Sequence, residues 1–276
     1  MLYSRSPAHC LLPQKYMKTL SFVIPVYNEQ ERINKTFNAL TNVKLPRGLK
    51  LTEVIFVNDG SVDKTAKLIE AFAKKAKLKA AVKLVTYTTN RGKGYALKQG
   101  MLKASGDYTL FFDADMSTPL SELAKFKPFM DKNIQVLIGT RKNGHSTVTK
   151  HQPLMRELLG KGFTKMTQIA LSIDNTDFTC GFKAFSKKSK DAIFPESQID
   201  RWGYDAEILL LARKFGFSQR EIAVEWANDE RTRVKLVSAI ISTFSELGTI
   251  VWMHRLKPTL NTILPTSLLT RLNLIK

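Results

Sequence analysis

Leu20-Ser21-Phe22-Val23-Ile24-Pro25 is a short apolar run from which the architecture of the chain follows. The run gives way to polar residues at Asn28, and Glu31 follows three residues later, a spacing typical of the first turn of a helix. Apolar residues then recur at helical spacing until a break at residues 46–48. This order predicts a buried strand, a turn and a helix.

The same pattern recurs along the first half of the chain. A second apolar run at residues 54–57 precedes Asn58-Asp59-Gly60-Ser61, and a later run at residues 108–112 precedes Asp113-Ala114-Asp115. Strands that alternate with helices of this length are typical of a mostly parallel, Rossmann-like sheet flanked by helices. We therefore predict an α/β fold whose polar turns meet at the carboxyl edge of the sheet, where ligands bind in such folds.

Three segments are predicted along the chain. Residues 1–16 precede the first strand and are expected to form a flexible extension, and residues 17–228 are expected to form one catalytic domain whose second half builds the acceptor side. Residues 229–276 carry Arg231, Arg233 and Lys235 near their start and continue with apolar residues on one helical face. They predict a basic tail of amphipathic helices that is a candidate for binding a membrane surface.

The composition of the chain indicates which classes of partner and which cellular compartment to expect. The 43 Lys and Arg against 24 Asp and Glu give a formal net charge of +19, which favours a nucleic acid, an anionic membrane or a phosphorylated substrate. The two cysteines are too few for a disulfide framework, and no apolar run reaches the roughly 20 residues of a membrane span. Because no export signal is recognisable, we expect a cytoplasmic protein, peripheral on the cytoplasmic face of a membrane.

Asp113 and Asp115 are the predicted metal ligands. Two carboxylates separated by one residue after a buried strand converge near one point, which suits Mg²⁺ or Mn²⁺. Such a cation bridges a diphosphate and neutralises the charge that develops as a nucleoside diphosphate leaves. A plain acidic turn is the alternative, but the position after a buried strand favours the metal site.

Other turns carry candidates for nucleotide recognition. Asp59 lies in a sequence that favours turns, yet at the sheet edge its carboxylate is suited to accept the imide N–H of uracil. Asn28 and Glu29 either join the same site or only cap a helix. Arg91 and Lys93 lie in a Gly-rich turn that fails the P-loop pattern. That turn either contacts a diphosphate before a helix or is a simple connection.

Several segments, in this order, resemble a known family. Pro25-Val26-Tyr27-Asn28-Glu29, Val57-Asn58-Asp59-Gly60-Ser61, residues 90–96 and Phe111-Phe112-Asp113-Ala114-Asp115 resemble the nucleotide-binding half of family 2 glycosyltransferases, which have the GT-A fold. Downstream, Gly139-Thr140-Arg141, Cys180-Gly181-Phe182-Lys183 and Trp202-Gly203-Tyr204-Asp205-Ala206-Glu207 resemble the polyprenyl-phosphate, or dolichyl-phosphate, glucosyltransferase and mannosyltransferase branch. The resemblance covers about residues 20–234.

The resemblance implies a metal-dependent, inverting transfer of glucose, mannose or a related hexose from UDP or GDP to a lipid phosphate. The nucleotide-sugar site is expected at Pro25, Tyr27, Asn28, Glu29, Asp59, Arg91, Lys93 and Asp113. The expected catalytic residues are Asp115, Arg141 and Asp205. The candidates for the acceptor phosphate or lipid headgroups are Lys183, Arg201, Arg231 and Arg233.

A phosphate monoester is a suitable nucleophile for this transfer. With a second pKa near ~6 it is largely dianionic at neutral pH and can attack without a strong general base. Catalysis then consists mainly of positioning the reactants and stabilising charge.

The sequence departs from the family pattern, and other hypotheses stay open. Asn58 replaces the common Asp, and Met116-Ser117 replaces the Leu-Gln usual in mannosyl enzymes, so the donor is not fixed. The segment at residues 198–202 matches the Q-x-x-R-W signature of processive polysaccharide synthases, but we interpret it as coincidence because their upstream base motif and spans are not found. A cell-envelope glycan acceptor and a non-enzymatic nucleic-acid-binding protein are the alternatives, although no nucleic-acid recognition module is recognisable.

Overall fold

Strands and helices alternate along the computed structural model, which describes residues 17–142, 146–150, 154–228 and 236–263. The strands are β1 (Lys18–Val26), β2 (Leu49–Asp59), β3 (Ala81–Tyr87), β4 (Tyr108–Phe112), β5 (Val136–Thr140), β6 (Thr147–Lys150), β7 (Phe182–Ser186), β8 (Gln219–Ala223) and β9 (Glu225–Ala227). The helices are α1 (Ile33–Thr41), α2 (Thr65–Lys75), α3 (Lys93–Lys103), α4 (Leu123–Asp131), α5 (Leu154–Leu171), α6 (Lys187–Glu196), α7 (Tyr204–Lys214), α8 (Leu236–Val251) and α9 (Lys257–Ile263). A 3-10 turn, Leu120–Glu122, precedes α4, and a π-helical turn, Trp252–Leu256, joins α8 to α9.

Within these residues, seven strands form one sheet in the order β3-β2-β1-β4-β7-β5-β8. The pairs β1/β2, β1/β4, β2/β3 and β5/β8 are parallel, whereas β7 runs antiparallel between β4 and β5. The predicted α/β fold with a mostly parallel sheet is confirmed. The antiparallel insertion was not indicated by the strand and helix alternation.

The core lies on both faces of the sheet, as expected for parallel strands covered by helices. Successive side chains of a strand point to opposite faces. Phe22 and Phe112 accordingly belong to one buried cluster, while their neighbours Val23 and Phe111 belong to the other. The central strands are therefore apolar on both sides, and their polar residues are confined to the ends.

The region predicted as one strand near residues 218–226 forms two strands in two sheets. Strand β8 pairs with β5, whereas β9 pairs with β6 in a separate two-stranded sheet. Val224 between them is fully buried, and its amide donates to the Thr140 carbonyl (3.1 Å). The Ala227 amide donates to the Ser117 carbonyl (2.9 Å), which brings β9 to the turn that follows β4.

The C-terminal helix α8 packs against the rest of the chain. Leu247 and Ile250 are buried in the same cluster as Phe111 and Leu209, beyond the domain boundary expected after residue 228. No helix in the described ranges is long and apolar enough to cross a membrane.

Glu53 holds the edge of the sheet opposite to the polar turns. Its buried carboxylate accepts hydrogen bonds from Ser21 Oγ (2.6 Å) and the Ser105 amide (2.7 Å), and it pairs with Lys83 Nζ (2.6 Å). Burial by itself raises the pKa of Glu53. Lys83 and the hydrogen bonds outweigh this effect and lower the pKa from its usual 4.5 to about 2.

We expect Glu53→Gln to destabilise the protein by about 3 kcal/mol at pH 7, because a depressed carboxyl pKa is a stabilising term above the pKa of the unfolded chain. That term is lost as the pH falls from about 4.5 to about 2, so variant and wild type should converge in acid. Urea unfolding at several pH values measures this, with the exposed Glu70→Gln as the control. A difference that does not change with pH would contradict the account.

Candidate active site

The polar turns after β1, β2 and β4 lie side by side, because these strands are parallel neighbours in the sheet. The strands end at Val26, Asp59 and Phe112. The segments that begin with Tyr27, Gly60 and Asp113 therefore share one edge of the sheet, the edge at which ligands bind in open α/β folds.

Asn28 and Glu29 join the first of these turns to the second. Asn28 has a positive φ of 53°, which asparagine tolerates better than most residues. Its amide donates to Ser61 Oγ (2.9 Å), and its Oδ1 accepts from the Val62 amide (3.0 Å). The Glu29 amide donates to Thr65 Oγ1 (2.8 Å). Both residues thus order the loops that frame the sheet edge.

The other residues predicted near the nucleotide differ in accessibility. Tyr27 is 42% exposed, whereas Glu29 is buried and its carboxylate accepts two hydrogen bonds from the Arg32 guanidinium (2.7 and 2.5 Å). Pro25 lies near the end of β1, opposite Val57 of β2. Tyr27 therefore presents an aromatic surface at the edge, while Glu29 is already engaged within the protein.

Asp59 anchors the Gly-rich turn at residues 90–94, which we call the Gly-rich loop. Its Oδ1 accepts from the Arg91 amide (2.8 Å), and its Oδ2 accepts from Asn90 Nδ2 (2.8 Å) and the Gly92 amide (2.9 Å). The Asp59 carboxylate is nearly fully buried, and these three donors together with the neighbouring Tyr87 hydroxyl, whose pKa it raises, surround it within the protein. The structure gives Asp59 an organising role in addition to the base contact predicted for it.

Two cations of the Gly-rich loop face different partners. The Arg91 guanidinium stacks 3.7 Å from the centre of the Tyr95 ring and pairs with Asp200 (3.2 Å). Lys93 begins α3, and its Nζ lies 2.5 Å from Oδ1 of Asp113. The positively charged end of Lys93 therefore lies beside Asp113, one of the two predicted metal ligands.

Asp113 and Asp115 act on each other electrostatically. The pKa of Asp115 is raised by burial and by the Asp113 carboxylate, although the amide of Ser117 donates to its Oδ1 (2.9 Å). Burial lowers the pKa of Lys93, but Asp113 and Asp205 raise it above the usual value. Several acids therefore surround one lysine, and the site favours additional positive charge.

A divalent cation fits this acidic pair. The negative charge of Asp113 raises the pKa of Asp115, which means that the two carboxylates repel each other. A cation bound between them would offset this repulsion. In the part of the chain that the structure describes, no group of three or more His, Cys, Asp or Glu forms a closed cage. Mg²⁺ does not require one, because it is commonly held by one or two carboxylates together with substrate phosphates and water. Asp113 and Asp115 are the residues that would hold it.

Gly181 lies in close contact with the Asp113 carboxylate. A Cβ placed on Gly181 would lie 2.2 Å from Oδ2 of Asp113, so only glycine leaves that carboxylate in place. Trp226 of β9 lies nearby. The cleft at this point is lined by Phe112, Asp113, Ser117, Thr118, Gly181 and Trp226.

We expect Gly181→Ala to reduce the activity of this site about 10- to 100-fold while the fold survives. The new methyl group meets the end of a flexible side chain, so Asp113 turns away rather than the backbone, and displacements of about 1 Å at a reacting centre can reduce rates 10²-fold. Steady-state kinetics and a melting curve measure both effects. Gly160→Ala in α5, with nothing within 4 Å of the new Cβ, is the matched control. Full activity of Gly181→Ala would contradict the assignment of Asp113.

Lys183 and Asp205 form a buried ion pair beneath the acidic site. Lys183 Nζ lies 2.5 Å from Oδ1 of Asp205 and donates to the Cys180 carbonyl (2.5 Å). Lys183 is fully buried, and Asp205 is nearly so. The expectation that Lys183 contacts the acceptor phosphate does not fit this burial. Lys183 instead fixes the turn that carries Gly181.

Arg141 pairs with a buried carboxylate that the sequence did not single out. Its Nε and Nη2 donate to Oδ2 and Oδ1 of Asp177 (2.7 Å each), and its Nη2 also donates to Thr179 Oγ1 (2.9 Å). Burial by itself raises the pKa of Asp177, but the Arg141 guanidinium outweighs this effect and lowers the pKa to about 2. The guanidinium also lies 5.1 Å from the centre of the Trp226 ring. Contact with a phosphate stays a prediction for Arg141, and this bidentate pair already orients it.

The remaining acceptor candidates fall in different places. Arg201 is exposed and lies next to the Gly-rich loop, where its Cγ would be 2.8 Å from a Cβ on Gly92. Arg231 and Arg233 lie outside the described residues.

Comparison with known proteins places the chain in a family. Residues 21–194 match the model of glycosyl transferase family 2. A dolichyl-phosphate beta-glucosyltransferase of Dictyostelium discoideum is 32% identical over 237 residues, which is 83% of this chain and 72% of that protein. The enzyme of the same name from Saccharomyces cerevisiae is 30% identical over 243 residues, 83% of this chain and 72% of that protein.

Solved structures share the fold at lower identity. Glucosyl-3-phosphoglycerate synthase from Mycobacterium tuberculosis in complex with UDP has a TM-score of 0.62 and 16% identity, covering 85% of this chain and 80% of that one. The same synthase in complex with Mn²⁺, UDP and glucosyl-3-phosphoglycerate has a TM-score of 0.62 and 19% identity over the same shares. Fold and sequence agree, and the chain belongs to glycosyl transferase family 2 as a glycosyltransferase of the dolichyl-phosphate glucosyltransferase branch.

Proposed function

We propose that this enzyme transfers glucose from a UDP sugar to a polyprenyl phosphate of the dolichyl type, with inversion at the anomeric carbon. The observation that carries the proposal is the Asp113 and Asp115 pair, held beside Lys93 at the carboxyl edge of the sheet. The names of the relatives support the sugar and the acceptor. The synthase crystallised with UDP and Mn²⁺ supports the donor and the cation.

The donor would lie across the edge formed by β1, β2 and β4. The partly exposed Tyr27 would face the base, and the imide N–H of uracil would approach the sheet edge at Asp59. Arg91 and Lys93 provide positive charge near the start of α3 for the diphosphate. When bound by Asp113 and Asp115, Mg²⁺ or Mn²⁺ would supply charge neutralisation for the departing diphosphate.

The reaction needs positioning more than proton transfer. An oxygen of the dianionic acceptor phosphate attacks the anomeric carbon, the bond from that carbon to the diphosphate oxygen breaks, and UDP leaves with the electron pair. A single displacement of this kind inverts the anomeric configuration. Lys93 and Arg141 would stabilise the charge that accumulates on the leaving diphosphate, and Arg201 is the exposed candidate for the acceptor phosphate.

A transfer assay tests the proposal. Radiolabelled UDP-glucose and GDP-mannose are offered separately with polyprenyl phosphate and Mn²⁺ or Mg²⁺, and the lipid and aqueous fractions are counted. We expect label from UDP-glucose in the lipid fraction, abolished by a chelator. Label only in a water-soluble glycan would overturn the lipid acceptor, and label only from GDP-mannose would overturn the donor.

We further propose that the enzyme attaches peripherally to an anionic membrane through its C-terminal helices. The net charge of +19 favours such a surface. Phe244, Trp252 and Leu256 are exposed apolar residues of this region, and Ile169 is another on α5, which contacts α8. Exposed apolar side chains beside basic residues such as Arg255 are typical of helices that lie in a membrane interface.

We expect Trp252→Ala combined with Leu256→Ala to weaken vesicle binding at least about tenfold, because each large apolar side chain removed from water stabilises binding by about 1.5–3 kcal/mol. Co-sedimentation with phosphatidylserine vesicles measures this, and added salt should weaken binding further. Val62→Ala, which changes an exposed apolar residue of the loop before α2, is the control. Equal binding of all variants would contradict this attachment surface.

A further inference from the structure

A loop from the second half of the chain lies across the Gly-rich loop. We call residues 197–203 the strap loop. Its Asp200 carbonyl accepts from the Tyr95 amide (2.9 Å), and the Asp200 carboxylate pairs with Arg91 (3.2 Å). A Cβ on Gly92 would lie 2.5 Å from the Asp200 carbonyl oxygen, and one on Gly94 would lie 2.3 Å from the Ile199 carbonyl oxygen. The contact is so close that glycine is required on one side of it.

The Gly-rich loop is thus held from two sides. Asp59 accepts hydrogen bonds from its amides on the side of β2, and the strap loop covers it on the other side. The start of α3, which carries Lys93 toward Asp113, depends on both. A displacement of the strap loop would therefore release Arg91 and the first turn of α3.

Glu207 of α7 fixes the beginning of the strap loop. Its carboxylate, fully buried, accepts from the Gln198 amide (2.9 and 3.0 Å) and from the Ile199 amide (2.8 Å). His254, in the turn after α8, places its Nε2 3.0 Å from Oε1 of the same carboxylate. The C-terminal helical segment therefore contacts the group that holds the strap loop.

Glu246 of α8 fixes the end of the strap loop directly. Its Oε2 accepts from the Gly203 amide (2.7 Å). A Cβ on Gly203 would lie 3.0 Å from the Glu246 Cβ, so helix and loop are in tight contact. Two side chains of the C-terminal segment, Glu246 and His254, thus act on the two ends of one loop.

We propose that Glu246 and His254 are positioning residues for the donor site, which they support through the strap loop and the Gly-rich loop. Neither residue has a hydrogen bond or ion pair with the predicted donor contacts Arg91 and Lys93, so the effect is transmitted through the strap loop and the adjoining start of α7, where Tyr204 packs against Gly94. The inference rests on the proposed function for its kinetic consequence. Its structural consequence, the ordering of residues 91–96 from α8, is independent of the substrate.

Hydrogen exchange and steady-state kinetics on Glu246→Ala test the proposal. We expect the amides of residues 91–96 and 198–204 to exchange at least about tenfold faster than in wild type. We also expect the KM for UDP-glucose to rise about tenfold with a smaller change in kcat, because the groups that bind the donor are less ordered. Glu246→Gln retains an oxygen that accepts from Gly203 and should restore both values. His254→Ala should accelerate exchange in the same two segments.

The exposed Glu70→Ala on α2 is the matched control and should behave as wild type. If Glu246→Ala does not fold, Glu246→Asp, whose shorter side chain does not reach Gly203, replaces it. Unchanged exchange at residues 91–96 in the variant used would overturn the proposal, as would an equal loss in Glu246→Gln. Because exchange is measured without substrate, a wild-type enzyme that fails to use UDP-glucose would refute the proposed function and leave the coupling testable.

Discussion

Replacement of Asp115 by alanine is expected to reduce glucosyl transfer by about 10²- to 10³-fold while the protein stays folded. Burial and the Asp113 carboxylate raise the pKa of Asp115, so the Ser117 amide and Lys93 balance its negative charge only in part. Groups aimed at charge that develops in the transition state typically contribute this much to kcat. Loss of a cation ligand removes such a contribution from the departing diphosphate. The measurement is kcat for transfer from UDP-glucose, with a melting curve for each protein.

Two further variants define the result for Asp115. Asp115→Asn retains size and one oxygen, so partial activity that rises with Mn²⁺ concentration is expected. Asp131→Ala, at the exposed end of α4, removes an acid paired with Lys127 and should keep activity near wild type. Wild-type kcat in Asp115→Ala would show that this carboxylate takes no part in catalysis.

Replacement of Lys183 by methionine is expected to be the most destabilising of these changes, by about 3–5 kcal/mol at pH 7. The methionine leaves Asp205 buried without its cation, and unpaired buried charges have this effect. The Cys180 carbonyl loses its donor as well, so the turn that places Gly181 against Asp113 loosens. Urea unfolding measures the change in stability.

The pH dependence of the Lys183→Met variant identifies the cause. Burial already raises the pKa of Asp205 above its usual value of 3.8, and loss of Lys183 raises it further. A raised folded-state pKa means that the folded protein takes up the proton first, so stability should increase as the pH falls toward 4. Lys183→Met with Asp205→Asn should recover part of the loss at pH 7. Lys188→Met, which changes an exposed lysine of α6, is the control, and a loss that does not vary with pH would contradict the explanation.

The parallel part of the fold was predictable because its signals are local. Each central strand is apolar on both faces and is followed within a few residues by a polar turn, as at Asn28, Asp59 and Asp113. Neighbouring parallel strands necessarily bring these turns to one edge. Strand β7 was not recognised as an antiparallel insertion because the alternation of strands and helices does not specify where a strand enters the sheet or in which direction it runs.

The rest of the site depends on contacts between distant segments. Asp177 and Gly181 were not predicted to matter, although Gly181 lies in a motif that resembles the family. Asp177 is important because it pairs with Arg141, which lies 36 residues away in the sequence. Gly181 is important because it contacts the carboxylate of Asp113, in the turn after β4. The connection from Glu246 to the strap loop is likewise formed across 43 residues. Helical periodicity assigns Glu246 to a helix but does not identify the amide that it accepts from.

A crystal structure with UDP and Mn²⁺ tests most directly whether the paired carboxylates hold a cation that faces a sugar nucleotide. We predict an anomalous manganese peak within about 2–2.5 Å of a carboxylate oxygen of Asp113 or Asp115 and of a diphosphate oxygen. The uracil should lie between Tyr27 and Asp59. Manganese bound elsewhere, or a nucleotide on another side of the sheet, would contradict the account.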